Sequence, residues 1–158
     1  MKRITLPLSD SEIKELKAGD SVLLSGKIYT LRDAGHKRLV ESYTRGEPDF
    51  DVQNKAFYYC GPTPTLEGEI IGSCGPTTSI RMDAYAPLLL DHGLKIMIGK
   101  GQRTIPVIDS MIKNSAVYLC AIGGAGALAA KCITECEVIA FDELGCESVK
   151  KLRFADFP

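Results

Sequence analysis

The chain has 158 residues, 45% hydrophobic and 25% charged, which is the size and composition of one globular domain. A coiled coil and a disordered tail are excluded, and a single domain spanning 1–158 is expected. Nineteen Lys and Arg stand against 20 Asp and Glu, for a formal charge of -1, so no global field attracts nucleic acid or an anionic membrane.

The longest stretch free of strongly polar residues, 116–130, is too short to span a bilayer and is interrupted by Gly123, Gly124 and Gly126. The N-terminal MKRITLPLSDSE has no continuous apolar region of the export-signal kind. A cytoplasmic protein is expected. Cys60, Cys74, Cys120, Cys132, Cys136 and Cys146 are then read as free thiols. No C-x-x-C pair occurs among them, and this argues against a metal centre held by this chain alone.

In chain order, Ser9 and Glu12 have capping-box spacing before Ile13 and Leu16, with Gly19 as a stop, so a short helix is expected first. Residues 21–24 and 27–31 then alternate with period two and read as a hairpin turning at Ser25-Gly26. DAGHKRLVESYTRG follows as a helix that Asp33 can cap and Gly46 ends. KAFYYC and EIIGSC read as two short strands. Each runs into the same tetrapeptide, Cys-Gly-Pro-Thr at 60–63 and at 74–77.

From Thr77 the pattern is helical, with Pro87 opening a second helix. Next come a buried strand at 94–98, a helix within GQRTIPVIDSMIKNS, a buried strand at 116–122 and a helix at 125–135. Strands at 138–141 and 151–154 close the chain. Alternating strands and helices imply an α/β fold with a mixed sheet.

Three cations stand where strands hand over to helices: Arg32, Arg81 and Lys100. In open α/β sheets, ligands bind beyond the carboxyl ends of the strands. Gly75-Pro76-Thr77-Thr78 opens a helical turn whose N–H groups and hydroxyls suit an anion, and Arg81 lies one turn beyond Thr77 on the same face. His36, four residues after Arg32, either lines that pocket, orients the arginine or sits on the helix surface. A competing constellation, Gly124-x-Gly126-x-x-Ala129 with Asp142 further on, has the outline of a dinucleotide fingerprint and suggests a nicotinamide oxidoreductase. It falls late, with too few strands after it for a mononucleotide half.

RDAGHKR at 32–38, YYCGPTP at 58–64, GPTTSIRMDAY at 75–85 and IGKGQR at 98–103, in this order and spacing, resemble the beta subunit of class I fumarase and L-tartrate dehydratase. The resemblance implies a swivelling β/β/α domain and a hydro-lyase acting on a C4 dicarboxylate, fumarate/malate first and tartrate/oxaloacetate second. It implies an alpha subunit that carries the 4Fe-4S cluster, with this chain contributing no ligand, and pairing of beta chains within the assembly. On the matching positions, Arg32, Arg81 and Lys100 would bind substrate and Thr77 would act at the reacting carbon, with Asp33, His36 and Thr78 in support. The chain departs from the family pattern at Gly35, where alanine is usual, and at Ser79-Ile80, where smaller residues are common. A non-catalytic dicarboxylate-binding module is the alternative from another functional class.

Overall fold

The computed structural model describes residues 1–158. Seven strands form one mixed sheet. β1 (Lys2–Leu6) is followed by α1 (Asp10–Glu15), β2 (Val22–Thr30), α2 (Asp33–Thr44) and β3 (Ala56–Tyr58). A long loop and a 3₁₀ turn (Ser79–Met82) lead to α3 (Ala86–Asp91), β4 (Ile96–Gly99), α4 (Ile105–Asn114) and β5 (Val117–Cys120). α5 (Gly126–Lys131), β6 (Ile133–Ala140), a second 3₁₀ segment (Asp142–Glu147) and β7 (Val149–Phe157) complete the chain.

The sheet order is β5-β4-β3-β2-β7-β6, with β1 also pairing to β2. β2 through β5 run parallel, whereas β7 is antiparallel to β2 and β6 to β7. Period-two alternation sorts the core onto two faces. Leu24, Ile28, Tyr58, Ile96 and Ile98 face one side together with Leu152, Phe154 and Phe157. Phe57 and Met97 face the other, under Leu39 of α2, Leu89 and Leu90 of α3 and Val107 of α4. On the first side Tyr58 meets the rings of Phe154 and Phe157 edge-on, 5.6 and 5.5 Å between centroids. Fully burying one such side chain contributes roughly 1.5–3 kcal/mol.

Several sequence expectations hold. The Ser9–Glu12 capping box forms at the start of α1, α2 covers the expected residues, and Pro87 stands in the first turn of α3. Others are corrected. The hairpin at Ser25-Gly26 is instead one continuous strand, β2, whose register shifts between Leu24 and Gly26. Gly26 has φ +109 and lies so close to Leu6 that a Cβ would sit 2.6 Å from its carbonyl oxygen, because β1 pairs along that edge. The turn chemistry thus serves a bulge. EIIGSC forms no strand, and only Ile71 and Cys74 of that segment join the core. β5 is an edge strand and is only partly buried. The helix expected at 125–135 stops at Lys131, and β6 begins at Ile133.

Candidate anion-binding site at the ends of the parallel strands

The ends of three adjacent parallel strands frame the candidate residues. β2 ends two residues before Arg32, and Leu31 N–H continues the ladder to the Tyr58 carbonyl at 3.1 Å. β3 runs into Tyr59, whose carbonyl accepts the Thr77 N–H at 2.7 Å. β4 ends at Gly99, next to Lys100. There Thr78 and Lys100 form an isolated parallel bridge, with Ser79 N–H donating to the Lys100 carbonyl at 3.0 Å. This close approach requires Gly99, since a Cβ there would collide with Ser79 Oγ and come within 2.9 Å of Tyr59.

Arg81 is the centre of the cluster. Its Nε and Nη2 grip the two Asp33 carboxylate oxygens at 3.0 and 3.1 Å, and Nη2 also donates to Thr77 Oγ1 at 2.7 Å. This fork fixes the guanidinium plane. Arg32 stands beside it, Nη2 3.6 Å from Asp33 Oδ2 and Nε 3.9 Å from Glu147 Oε1. That Nε is buried with no hydrogen-bond partner. The Lys100 side chain runs over Gly123, where a Cβ would lie 3.6 Å from Nζ. Three cations thus face two carboxylates, leaving net positive charge at the end of the sheet.

His36 is fully buried, which settles the surface alternative against it. Its Nδ1 bonds the Arg32 carbonyl at 2.8 Å, and because a carbonyl only accepts, Nδ1 carries the proton. The rings of Phe57, Tyr59 and Tyr85 surround it. Burial pushes its pKa down to about 4, so the ring is neutral at pH 7. His36 therefore orients Arg32 through the backbone. Thr78 opens the 3₁₀ turn without a side-chain cap bond, and its place in the site comes from the bridge to Lys100.

Asp33 does not cap α2 as expected. Its carboxylate is taken by Arg81, and Glu147, far along the chain, accepts the Ala34 N–H at 3.2 Å instead. Sequence reasoning missed Glu147, because nothing local connects it to the start of α2. It also passed over Asp83 and Arg103, although both stand within the motifs GPTTSIRMDAY and IGKGQR.

The whole chain, residues 1–158, matches the family described as Fumarase C-terminus. The chain belongs to that family. It is 39% identical over 150 residues to Fumarate hydratase 2 of Leishmania major, covering 93% of this chain and 26% of the relative. It is 38% identical to the anaerobic class I fumarate hydratase of Escherichia coli, with 94% and 28% covered. It therefore spans about a quarter of the length of these fumarate hydratases. The L(+)-tartrate dehydratase subunit beta of Escherichia coli is 32% identical, with 99% of this chain and 80% of the relative covered.

The structure gives Gly126 of the dinucleotide-like fingerprint a packing role. A Cβ on Gly126 would lie 2.9 Å from Gly75 N, and the Gly126 carbonyl accepts the Cys74 N–H at 3.0 Å. The start of α5 is thus packed against the turn that carries Thr77, and α5 has only six residues. The chain's residues do not fit a 4Fe-4S cluster. Cys60 and Cys74 have their sulfurs 2.9 Å apart in the core, and nowhere do three His, Cys, Asp or Glu side chains gather as a metal-holding group. No helix is long and apolar enough to cross a membrane.

Proposed function

We propose that this chain is the beta-type part of a hydro-lyase that interconverts a 2-hydroxy C4 dicarboxylate and its dehydrated product, fumarate/malate first and tartrate/oxaloacetate second. It works as one unit over 1–158, in the cytoplasm, with an alpha-type unit that holds the 4Fe-4S cluster. The active site lies between the two. Beta chains pair within the assembly, and the exposed Ile105, Ile108 and Ile112 along α4 offer an apolar face for its contacts.

The observation that carries this reading is the Arg81–Thr77 contact beside the unpartnered Nε of Arg32. Arg81 spends Nε and Nη2 on Asp33 and Thr77, which leaves its Nη1 donors for a ligand. Arg32 and Lys100 add separate cations at the ends of β2 and β4, the strands on either side of β3. Removing a proton next to a carboxylate gathers a second negative charge on that group, and fixed cations stabilise this charge more strongly than they stabilise the substrate. Thr77 Oγ1, already accepting from Arg81, gives its hydroxyl proton to the reacting carbon in the hydration direction and, as the alkoxide that Arg81 stabilises, takes that proton back in the dehydration direction. His36 and Asp33 hold Arg32 and Arg81 in place.

The test is anaerobic reconstitution with the alpha-type unit, followed by assay of both substrate pairs. Arg32→Ala, Arg81→Ala and Lys100→Ala are each expected to lower kcat/KM about 10- to 100-fold, the loss of one charge-assisted hydrogen bond, with melting temperatures close to the parent. The isolated chain is expected to fold without turning over. Dicarboxylate binding without turnover by the reconstituted pair would support a non-catalytic binding module instead.

A further inference from the structure

We propose that Asp83 and Arg103 form a positioning clamp that sets Thr77 and Arg81 at a fixed distance from Lys100. The inference rests on the site reading above and adds two residues that touch no substrate. Asp83 follows Arg81 by two residues, and Arg103 follows Lys100 by three. Each belongs to one of the two segments that must face a common ligand.

The pair is almost wholly removed from solvent, with side chains 2% exposed at Arg103 and 6% at Asp83. Arg103 Nε donates to Asp83 Oδ1 at 2.7 Å, and the other carboxylate oxygen accepts the Thr104 N–H at 2.7 Å. The guanidinium carbon lies over two rings, 5.3 Å from the Tyr59 centroid and 4.9 Å from that of Tyr118. Nη2 reaches the Tyr59 hydroxyl at 3.4 Å, and Nη1 reaches Met97 Sδ at 3.4 Å. Tyr118 hydroxyl donates to the Gly101 carbonyl at 3.0 Å and lies 2.8 Å from Ser79 Oγ. Tyr118 thus ties this cluster to both sides of one backbone link, the Ser79 N–H to Lys100 carbonyl bond, through Ser79 and through Gly101 next to Lys100.

A buried ion pair is a poor way to gain stability, because desolvating two charges offsets most of their attraction, and well-packed apolar side chains often serve as well. What it supplies is geometry. Arg103 has a rigid planar fork held over the Tyr59 and Tyr118 rings, and one placement of Asp83 serves both Nε and the Thr104 amide. Sliding the Thr77–Arg81 segment against Lys100 would leave a charge buried and unpaired. The two segments therefore move together or not at all, and a shift of about 1 Å at a reacting centre costs on the order of 100-fold in rate.

The experiment compares Arg103→Lys, Asp83→Asn and the apolar double variant Asp83→Leu with Arg103→Met. Each is measured by amide hydrogen exchange on the chain and by steady-state kinetics after reconstitution. Expected are faster exchange at Ser79 N–H with β2 and β3 amides unchanged, and a kcat fall of at least 10-fold at a KM within about threefold, even where the double variant melts near the parent temperature. Arg103→Lys, which keeps the charge, decides the matter if the double variant does not fold. Parent-like Ser79 exchange, or kcat preserved within twofold in Arg103→Lys, would overturn the clamp. If the parent pair itself shows no hydro-lyase turnover, the site reading fails, while Ser79 exchange still decides whether the clamp exists.

Discussion

The tetrapeptide Cys-Gly-Pro-Thr occurs twice, 14 residues apart, and the two copies do different work. In the first, Thr63 closes the loop on itself: its N–H donates to the Ser73 carbonyl at 3.0 Å, and its Oγ1 accepts the Ser73 N–H at 2.8 Å. In the second, Thr77 is bonded through its backbone to Tyr59, and its hydroxyl points to Arg81. The cysteines are equivalent, buried sulfur against sulfur. Their glycines are not: Gly61 lies under the Arg32 side chain, Gly75 against Gly126. Identical residues thus acquire different roles from the segments packed against them. Only the second copy runs into a 3₁₀ turn that brings an arginine back over its threonine.

The largest effect separates the two threonines. Thr77→Ala is expected to reduce kcat about 100- to 10,000-fold in the reconstituted enzyme, the range for loss of a positioned proton-transfer group. KM should change little. Thr63→Ala is expected to leave kcat within about twofold and to cost roughly 0.5–1.5 kcal/mol of stability for the lost hydrogen bond to Ser73 N–H. Kinetics beside thermal melts on both variants checks the pair. Equal losses of kcat would make the two turns equivalent and remove Thr77 from the chemistry.

Acid is expected to act on the side of the first turn. His36 holds the Arg32 carbonyl, and Arg32 lies over Gly61. The groups facing this imidazole are the rings of Phe57, Tyr59 and Tyr85, the Asp33 carboxylate and the Arg103 guanidinium. Because the folded pKa lies at about 4, below the ordinary 6.5, the unfolded chain binds the proton first. The stability that neutral His36 contributes is therefore fully present above pH 6.5 and is lost as the pH falls toward 4. The full loss is about 3 kcal/mol. Urea unfolding at pH 7, 5.5 and 4 should show the parent losing this much more than His36→Gln, and parallel pH dependences would contradict it.

Much of this was legible in the sequence, for identifiable reasons. The motifs carrying Arg32 and Lys100 follow parallel strands directly, so strand-end punctuation and the family resemblance led to the same residues there. Thr77 and Arg81 follow no strand and enter a 3₁₀ turn rather than the expected helix, so for them only the resemblance and the anion-binding turn pointed to the site. Local signals with one physical meaning also held, such as the Ser9–Glu12 box and Pro87. The failures share a cause in long-range contact. Gly26 reads as a hairpin glycine until β1 is placed beside it, and Asp33 reads as a cap until Arg81 takes its carboxylate and Glu147 replaces it. EIIGSC has strand composition, yet the places beside β3 are taken by β2 and β4. The Asp83–Arg103 pair joins two motifs that sequence spacing alone does not bring together.

The smallest expected effect separates the two glycines. A Cβ on Gly61 would approach Arg32 Cδ and Nη1 to 2.8 Å, whereas a Cβ on Gly75 would meet nothing nearer than 3.4 Å, at Gly126 Cα. Gly61→Ala must therefore push the arginine stem aside. Since that stem is flexible, the fold can absorb the change, but the guanidinium shifts relative to Asp33 and Glu147, whose distances to it are already 3.6 and 3.9 Å. Substrate binding is where this should register, as a KM raised about threefold to tenfold with kcat largely kept, a loss of roughly 0.6–1.4 kcal/mol. Gly75→Ala should leave KM unchanged and stability within about 0.5 kcal/mol, because its surroundings accept a methyl at ordinary contact distance. Comparing the two KM values in the reconstituted enzyme is decisive: a larger rise for Gly75→Ala would mean that the second turn, and not Arg32 over the first, limits how the dicarboxylate is held.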